Sequence, residues 1–170
     1  GNTNLPPSRR RGFELEGKWS AWKTLMLGAA YTYTDARFQQ GMFTGGGGFL
    51  ANQVIAGKAV PLVPRHKLNF NASWAMGPQT RLNALLTYVG EQYMDNDEAN
   101  TLGVKIPTYT VADLKLVHHS GAWTLSGTVN NLLNEKYYNY AVRSGLVPDR
   151  YNAYPLPERS LLLMLEYAFK

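Results

Sequence analysis

The chain has 170 residues, of which 12% are aromatic and only 17% are charged, and it contains no cysteine. The charged fraction is well below the roughly 25% of ordinary soluble domains, and the lack of cysteine excludes a disulfide scaffold and a Cys-ligated metal site. The net charge of +5 is modest, and its basic residues are scattered apart from Arg9, Arg10 and Arg11, which argues against a nucleic acid partner.

Alternation of apolar and polar residues with a period of two predicts seven β-strands, and no segment has a helical period. In chain order the alternating segments are 13–20, 24–33, 67–76, 81–88, 112–116, 123–130 and 161–169. One face of these segments is apolar, and the other carries Glu14, Glu16, Lys18, Lys67, Arg81, Asp113 and Lys115. Because a small closed core would bury such charges at a high cost, we expect the apolar face to contact lipid and the charged face to line a wide, wet interior.

The connections between these segments alternate in length. Short turns are predicted around Ala21-Trp22, Gly77-Pro78 and Ser120-Gly121-Ala122, and long loops at about 36–65, 94–107 and 133–157. Short turns at one edge and long loops at the other are typical of an outer-membrane β-barrel, whose turns face the periplasm and whose loops face the exterior. The sequence therefore predicts an all-β fold, an antiparallel transmembrane β-barrel segment.

The aromatic residues are sorted by loop length. All four tryptophans lie within a few residues of a short turn, whereas tyrosines such as Tyr31 and Tyr88 lie at the opposite strand ends. Since an indole ring prefers the membrane–water boundary, we predict a belt of interface aromatics formed by Trp19, Trp22, Trp74, Trp123, Tyr167 and Phe169. The alternative, that these rings fill a soluble core, does not predict the sorting.

Seven is an odd number of strands, whereas a bacterial single-chain barrel closes with an even number. If the last strand ends at the periplasmic side, the first strand also runs towards the periplasm, and residues 1–11 would be the tail of an extracellular loop. We therefore expect residues 1–170 to be one part of a larger barrel.

Five motifs, in order along the chain, resemble the C-terminal region of TonB-dependent siderophore receptors. They are Arg11-Gly12-Phe13-Glu14-Leu15-Glu16-Gly17, Val63-Pro64-Arg65-His66-Lys67-Leu68, the region from Tyr88-Val89-Gly90 to Ile106-Pro107-Thr108-Tyr109-Thr110-Val111-Ala112-Asp113, Val129-Asn130-Asn131-Leu132-Leu133-Asn134-Glu135-Lys136-Tyr137-Tyr138, and the closing strand from Pro157-Glu158-Arg159-Ser160 to Phe169. Each motif is weak alone, and together they span most of the chain. Lys170 departs from the pattern, because the closing strand usually ends on the aromatic residue.

The resemblance implies a receptor of the bacterial outer membrane whose barrel of about 22 strands is closed by a plug domain. Residues 1–170 would be the C-terminal part of that barrel, with the plug and the earlier strands absent from this sequence. Such a receptor is no enzyme, holds no cofactor, and imports a scarce ligand, which we expect to be a ferric siderophore. The implied partners are the TonB complex acting through the plug, the barrel-assembly machinery, lipopolysaccharide and outer-membrane lipid, and the remainder of the same receptor. A porin or adhesin barrel without plug-gated active transport is the alternative.

Candidate ligand contacts lie in the last long loop and comprise Arg143, Arg150, Tyr151 and Tyr154. Arginine pairs oxygen anions bidentately and tyrosine offers a flat, amphipathic surface, which suits an anionic or aromatic chelate. The alternative is that Tyr137, Tyr138, Tyr140 and Tyr151 belong to the aromatic girdle or pack within the loop.

Three further clusters in the sequence give weaker indications of a function. The run Arg9-Arg10-Arg11 could contact lipopolysaccharide phosphates, or it is simply a solvated charge run. Asp95, Asp97 and Glu98 lack the glycine of an EF-hand loop, so we predict a solvated loop and no metal site. The run Gly45-Gly46-Gly47-Gly48 predicts a flexible loop tip.

Overall fold

Secondary structure in the computed structural model, which describes residues 5–43 and 48–169, consists of β-strands and one 3-10 turn at Gly48–Leu50. The strands are β1 (Ser8–Trp22), β2 (Leu25–Phe38), β3 (Met42–Phe43), β4 (Gln53–Val54), β5 (His66–Ala75), β6 (Thr80–Val89), β7 (Tyr109–Ser120), β8 (Trp123–Asn130), β9 (Tyr138–Arg143), β10 (Tyr151–Pro155) and β11 (Ser160–Tyr167). The predicted all-β fold is confirmed. Within the described ranges, no helix is long and apolar enough to cross a membrane.

Seven strands form one antiparallel sheet in the order β1-β2-β5-β6-β7-β8-β11, so each strand pairs with the sheet strand that precedes it in the chain. This confirms the seven predicted strands. β7 is longer than the predicted 112–116, because it pairs with β6 from Tyr109 to His118 although its ends lack clear alternation. Tertiary pairing here overrides a weak local pattern.

The first strand begins earlier than the sequence predicts. β1 starts at Ser8. In the strand register, Arg9 lies opposite Arg37 of β2 and Arg11 lies opposite Asp35. The expectation that residues 1–11 form a loop tail is therefore wrong from residue 8 onwards, because the second strand is long enough to pair with this stretch. The predicted glycine-rich loop tip is outside the described residues at 45–47, and Gly48 opens the 3-10 turn with a φ of 53°.

The register aligns the apolar residues of neighbouring strands on one face of the sheet. Leu15 pairs with Tyr31, Tyr31 with Leu68, and Leu68 with Tyr88. Because a slip of one residue would move every side chain to the opposite face, this alignment across strands supports the predicted apolar face. We call it the outer face.

Polar side chains line the opposite, inner face of the sheet. Ser73 Oγ donates to Asn83 Oδ1 at 2.9 Å, and Thr87 Oγ1 donates to Asn69 Oδ1 at 3.1 Å. Such cross-strand hydrogen bonds satisfy polar groups without a dry core, as an interior accessible to water allows.

The two ends of the sheet differ in their connections. Short turns at 23–24, 76–79 and 121–122 lie at one end, and the long connections 39–65, 90–108 and 131–159 lie at the other. The alternation of loop lengths predicted from the sequence is confirmed.

Aromatic rings gather at both ends. At the short-turn end the ring of Tyr167 lies 4.6 Å from that of Trp123 and 4.9 Å from that of Phe169. At the long-connection end, Phe13 contacts Tyr31 and Tyr33, with ring centroids 5.9 and 5.7 Å apart. The structure places Trp19, Trp22 and Trp74 near the short turns as well, all exposed. Their position at a membrane interface stays a prediction.

The hydrophobic core lies mainly in the long connections. We call the packed connections 39–65, 90–108 and 131–159 the loop cap. One cluster joins Phe38, Phe43, Ile55 and Ala99, and a second joins Met94, Leu102, Ile106 and Ala141. Each cluster contains residues from two different connections or from a strand end and a connection, so the connections hold one another in place.

Asn131 fastens the last connection to the sheet. Its backbone N–H donates to Asp113 Oδ1 at 2.8 Å, its amide Nδ2 donates to the carbonyls of Glu135 and Pro157, and its Oδ1 accepts from the N–H of Glu135. Asn131 is buried and has a φ of 49°, a region that asparagine tolerates better than most residues. These contacts explain why asparagine suits this position of the Val129–Tyr138 motif.

Candidate functional site

A hairpin within the loop cap carries all four residues predicted as ligand contacts. β9 and β10 pair from Tyr138 to Arg143 and from Pro155 to Tyr151. The tip is closed by the Ser144 N–H, which donates to the Arg150 carbonyl at 2.8 Å, and by Ser144 Oγ, which accepts from the N–H of Val147 at 3.0 Å. Ordered turns of this kind let a short hairpin present side chains in fixed positions.

The hairpin is docked on the connection 90–108 through its backbone. Asp95 N–H donates to the Ala141 carbonyl at 2.9 Å, and Arg143 N–H donates to the Asp95 carbonyl at 2.8 Å. Asp95 and Val142 thus form an isolated parallel bridge. Gln92 Nε2 adds a longer contact of 3.4 Å to the Asn139 carbonyl.

Arg143 and Asp97 form a buried ion pair beneath the hairpin. Arg143 Nη1 lies 2.8 Å from Asp97 Oδ1 and 2.7 Å from Thr101 Oγ1, and the two charged residues are only 5% and 1% exposed. A buried charge is tolerated when its partner and hydrogen bonds are in place. The geometry gives Arg143 a role in holding two connections together, and its contact with a ligand stays a prediction.

Asp97 also organises the turn that contains it. Its Oδ1 accepts from the backbone N–H groups of Thr101 and Leu102 at 2.9 and 3.2 Å. The expectation of a solvated loop is wrong for Asp97 and Glu98, both of which are buried. The sequence could not reveal this, because Arg143 lies 46 residues away from Asp97.

Glu98 is buried beside other acids. It is 6% exposed, and its Oε2 has no hydrogen-bond partner among the described residues. Burial raises the pKa of the Glu98 carboxyl, and the charges of Asp95 and Asp97 raise it further. Among the described residues, no group of three or more His, Cys, Asp or Glu side chains is placed to hold a metal ion.

The exposed residues of the hairpin include two tyrosines and one arginine among those predicted as ligand contacts. Tyr154 is 54% exposed, and its ring lies 5.4 Å from that of Tyr140. Tyr140 Oη donates to Asp95 Oδ2 at 2.8 Å, and this hydrogen bond raises the pKa of Tyr140. Tyr151 and Arg150 are exposed at the top of β10. Arg150, which precedes β10, and Tyr151 and Tyr154, which belong to it, are exposed, whereas Arg143, the cross-strand partner of Tyr151, is buried.

A polar cavity lies between the hairpin and the inner face of the sheet. Its volume is about 330 Å³, and it is lined by Lys67, Asn69, Thr87, Gln92, Tyr109 and Asn139 among others. Lys67, Asn69 and Thr87 belong to the inner face, and Gln92 and Asn139 belong to the loop cap.

The sequence matches one family. A model described as "TonB dependent receptor-like, beta-barrel" matches residues 1–132, which is more than half of the chain. No curated protein matches this sequence.

Solved structures similar to this chain include two uptake receptors and a transporter. The siderophore receptor PiuA from Acinetobacter baumannii has a TM-score of 0.73 at 22% identity, over 94% of this chain and 22% of its own. The ferric yersiniabactin uptake receptor FyuA from Yersinia pestis has a TM-score of 0.74 at 19% identity, over 96% of this chain and 24% of its own. The copper transporter OprC has a TM-score of 0.67 at 18% identity, over 95% of this chain and 24% of its own. This chain thus spans about a quarter or less of the length of these proteins, and identities this low show a shared fold.

Proposed function

The chain belongs to the TonB dependent receptor-like β-barrel family, and from this we propose that it forms the C-terminal wall and part of the extracellular surface of a receptor that imports a ferric siderophore. Barrels of this family are outer-membrane proteins of receptor type. The outer face of the sheet suits lipid and the inner face suits a wet interior. PiuA and FyuA, whose folds this chain shares, are receptors for siderophores or their ferric complexes.

The observation that carries the proposal is the exposure of Arg150, Tyr151 and Tyr154 on a hairpin that is attached to the connection 90–108. Two backbone hydrogen bonds and the buried ion pair fix the hairpin on the connection 90–108. A surface ordered before the ligand arrives loses less entropy on binding. Guanidinium and phenol groups complement the oxygen-rich, flat surface of an iron chelate.

We propose that a plug domain and earlier barrel strands complete the receptor, and that the plug connects it to the TonB complex. The barrel-assembly machinery would insert it, and lipopolysaccharide would surround it. In this proposal the iron chelate is cargo, no cofactor is held, and the chain catalyses no reaction.

Substitution in the intact receptor tests the ligand surface. We expect Arg150→Ala with Tyr154→Ala to weaken ferric siderophore binding by at least about tenfold, because one charge-assisted contact and one aromatic contact are lost. The measurement is the dissociation constant from quenching of intrinsic fluorescence, together with uptake of radioactive iron. Lys136→Ala is the matched control, since Lys136 is exposed at the base of the same connection. Unchanged affinity in the double variant for every chelate that the receptor binds would refute this ligand surface.

Dependence on energy separates this proposal from the porin alternative. A TonB-dependent receptor should stop accumulating its ligand when the proton gradient is collapsed, whereas a diffusion porin should still pass small solutes. Uptake of copper in place of iron chelates would assign the cargo to the class of OprC and leave the transport mechanism unchanged.

A further inference from the structure

Arginine side chains gather at the long-connection end of β1 and β2. In the strand register, Arg9 lies directly opposite Arg37, and Arg11 lies directly opposite Asp35. The pairing has no register shift over this stretch, so Arg9 and Arg11 share the outer face with Phe13. Because like charges directly opposite one another destabilise a strand pair, Arg9 and Arg37 would be stabilised by an anion between them.

The single carboxylate among these side chains neutralises only part of their charge. Arg37 Nε lies 3.0 and 3.1 Å from the two carboxylate oxygens of Asp35, and Arg65 Nη2 lies 3.6 Å from Asp35 Oδ1. Among the described residues, Arg9 and Arg11 form no ion pair. Asp35 therefore serves two of the four guanidinium groups, and the cluster retains a positive charge.

A cavity opens beside this cluster. Its volume is about 340 Å³, and Arg37, Arg65, His66, Tyr88 and Lys105 are among the residues that line it. His66 and Tyr88 belong to the outer face, since both lie in register with its tyrosines and leucines. Lys105 is paired with Glu91 on the cavity wall. The cavity is thus a polar recess between the upper ends of the strands and the connections 39–65 and 90–108.

Aromatic rings lie directly below the arginines on the same face. Phe13 contacts Tyr31 and Tyr33, and Tyr31 Oη lies 2.7 Å from His66 Nδ1. Leucines such as Leu15 and Leu68 continue the face towards the short turns. The order along the strands is therefore basic, aromatic and aliphatic. A free anion would need only the first zone, whereas a phosphorylated lipid matches all three.

We propose that Arg9, Arg11, Arg37 and Arg65 form a binding site for the phosphate groups of a phosphorylated lipid of the outer leaflet. The acyl chains of this lipid lie against the aromatic and aliphatic zones, and its headgroup enters the cavity at Arg37 and Arg65. Guanidinium groups bind phosphate oxygens bidentately, which holds the lipid in a fixed position on the barrel wall. This inference names the site of the lipid partner in the proposed function and rests on the barrel's position in the outer membrane.

Lipid retention by the intact receptor tests the site. The receptor is purified from outer membranes in mild detergent, and co-purified lipopolysaccharide is quantified for the wild type and for Arg9→Gln, Arg11→Gln, Arg37→Gln and Arg65→Gln combined. The matched control combines Lys18→Gln, Lys67→Gln, Arg81→Gln and Lys115→Gln, which remove the same charge from the inner face. Migration of unheated samples on gels verifies that each barrel is folded, and iron uptake is measured separately, so a failure of the transport proposal does not affect this readout.

We expect the quadruple variant to retain at least about tenfold less lipopolysaccharide than the wild type and the control variant to retain the same amount. Wild-type retention in the quadruple variant, or equal loss in the control, would overturn the proposal. If the quadruple variant does not fold, the double variant Arg9→Gln with Arg11→Gln still tests the site. Both residues are exposed, so the double variant should fold, and it should retain roughly threefold less lipopolysaccharide than the wild type.

Two further arms distinguish the source of the phosphate. Lipopolysaccharide freed of its phosphates by a phosphatase should rebind to delipidated receptor about tenfold more weakly. Inorganic pyrophosphate should compete poorly, because it lacks the acyl chains. Equal binding of the dephosphorylated lipid would show that the arginines do not bind its phosphates. Displacement of the lipid by pyrophosphate at equal concentration would show that the apolar zones do not contribute to binding. Either result contradicts a lipid site.

Discussion

The loop cap and the sheet bury their apolar residues in opposite ways. In the loop cap, Ile55, Met94 and Ile106 are completely buried among their neighbours. In the sheet, Leu163 and Leu165 are 69% and 62% exposed on the outer face. The loop cap therefore draws its stability from its own side chains, whereas the sheet requires lipid on one face and water on the other. Substitutions in the two regions should accordingly respond to different surroundings.

The largest effect is expected from Arg143→Ala. The substitution leaves the Asp97 carboxylate buried without its cation, which costs about 3–5 kcal/mol. Because the ion pair joins only the connections of the loop cap, hydrogen exchange should accelerate at the amides of Asp95 and Arg143 and stay unchanged in the sheet. Arg143→Met combined with Asp97→Leu should cost less, since no charge is left buried. Equal acceleration in the sheet would show that the two regions are one cooperative unit.

A smaller effect is expected from Leu163→Arg in the sheet. A charge on the lipid-facing side at mid-strand should destabilise the inserted barrel by about 2–4 kcal/mol, and Met164→Arg, on the inner face, should cost less. The free energies come from denaturant titration of the receptor in lipid vesicles. If the two variants lose the same stability, or the order is reversed, the assignment of the outer and inner faces is incorrect.

Asn131 lies where the two regions join, and its substitution should affect both. Asn131→Ala removes three side-chain hydrogen bonds and places alanine at a positive φ, which should cost about 2–3 kcal/mol. We expect faster proteolysis of the connection 131–159 and earlier thermal loss of the folded barrel. Asn130→Ala is a suitable control, because Asn130 is exposed and makes one side-chain bond, to Ser160 at 3.2 Å.

The smallest effect is a gain in stability from Glu98→Gln. Burial raises the folded-state pKa of Glu98 above its ordinary value of 4.5, so ionisation opposes folding of the loop cap at neutral pH. This residue's contribution is most favourable below the unfolded pKa and is lost as the pH rises through the raised folded pKa. Glutamine should therefore raise the free energy of local unfolding of the loop cap by on the order of 1 kcal/mol at pH 7.5 and leave it unchanged at pH 4. Hydrogen exchange at the two pH values, corrected for intrinsic rates, provides the measurement, and an equal difference at both would contradict the role of ionisation.

Much of the sheet could be predicted from the sequence, because its contacts follow a local rule. Alternation such as Leu161, Leu163 and Leu165 against Met164 and Glu166 reports which side chains share a face, and the observed register preserves those faces. The sequence does not predict the extra length of β1 and β7, because their ends lack alternation and become strand only by pairing with the neighbouring strand.

The loop cap could not be predicted in the same way. Asn100 binds the backbone of Ala59 through both its Oδ1 and its Nδ2, at 2.7 and 3.0 Å, although 41 residues separate them. Asp97 and Arg143 are 46 residues apart in the sequence, and neither residue lies in a periodic segment. The sequence predicts Arg150, Tyr151 and Tyr154 as ligand contacts by their chemistry, which stays a prediction, and it could not show that Arg143 is buried against Asp97.

The order of the strands has a consequence for how the protein forms. Every strand of the sheet pairs with the one made just before it, so pairing can advance one hairpin at a time with little loop-closure entropy at each step. The bond from Asp97 to Arg143 cannot exist until the last connection has arrived. The loop cap therefore takes its final shape only after six of the seven strands of the sheet are present, and a chain halted before residue 143 would pair most of its sheet while its loop cap stayed incomplete.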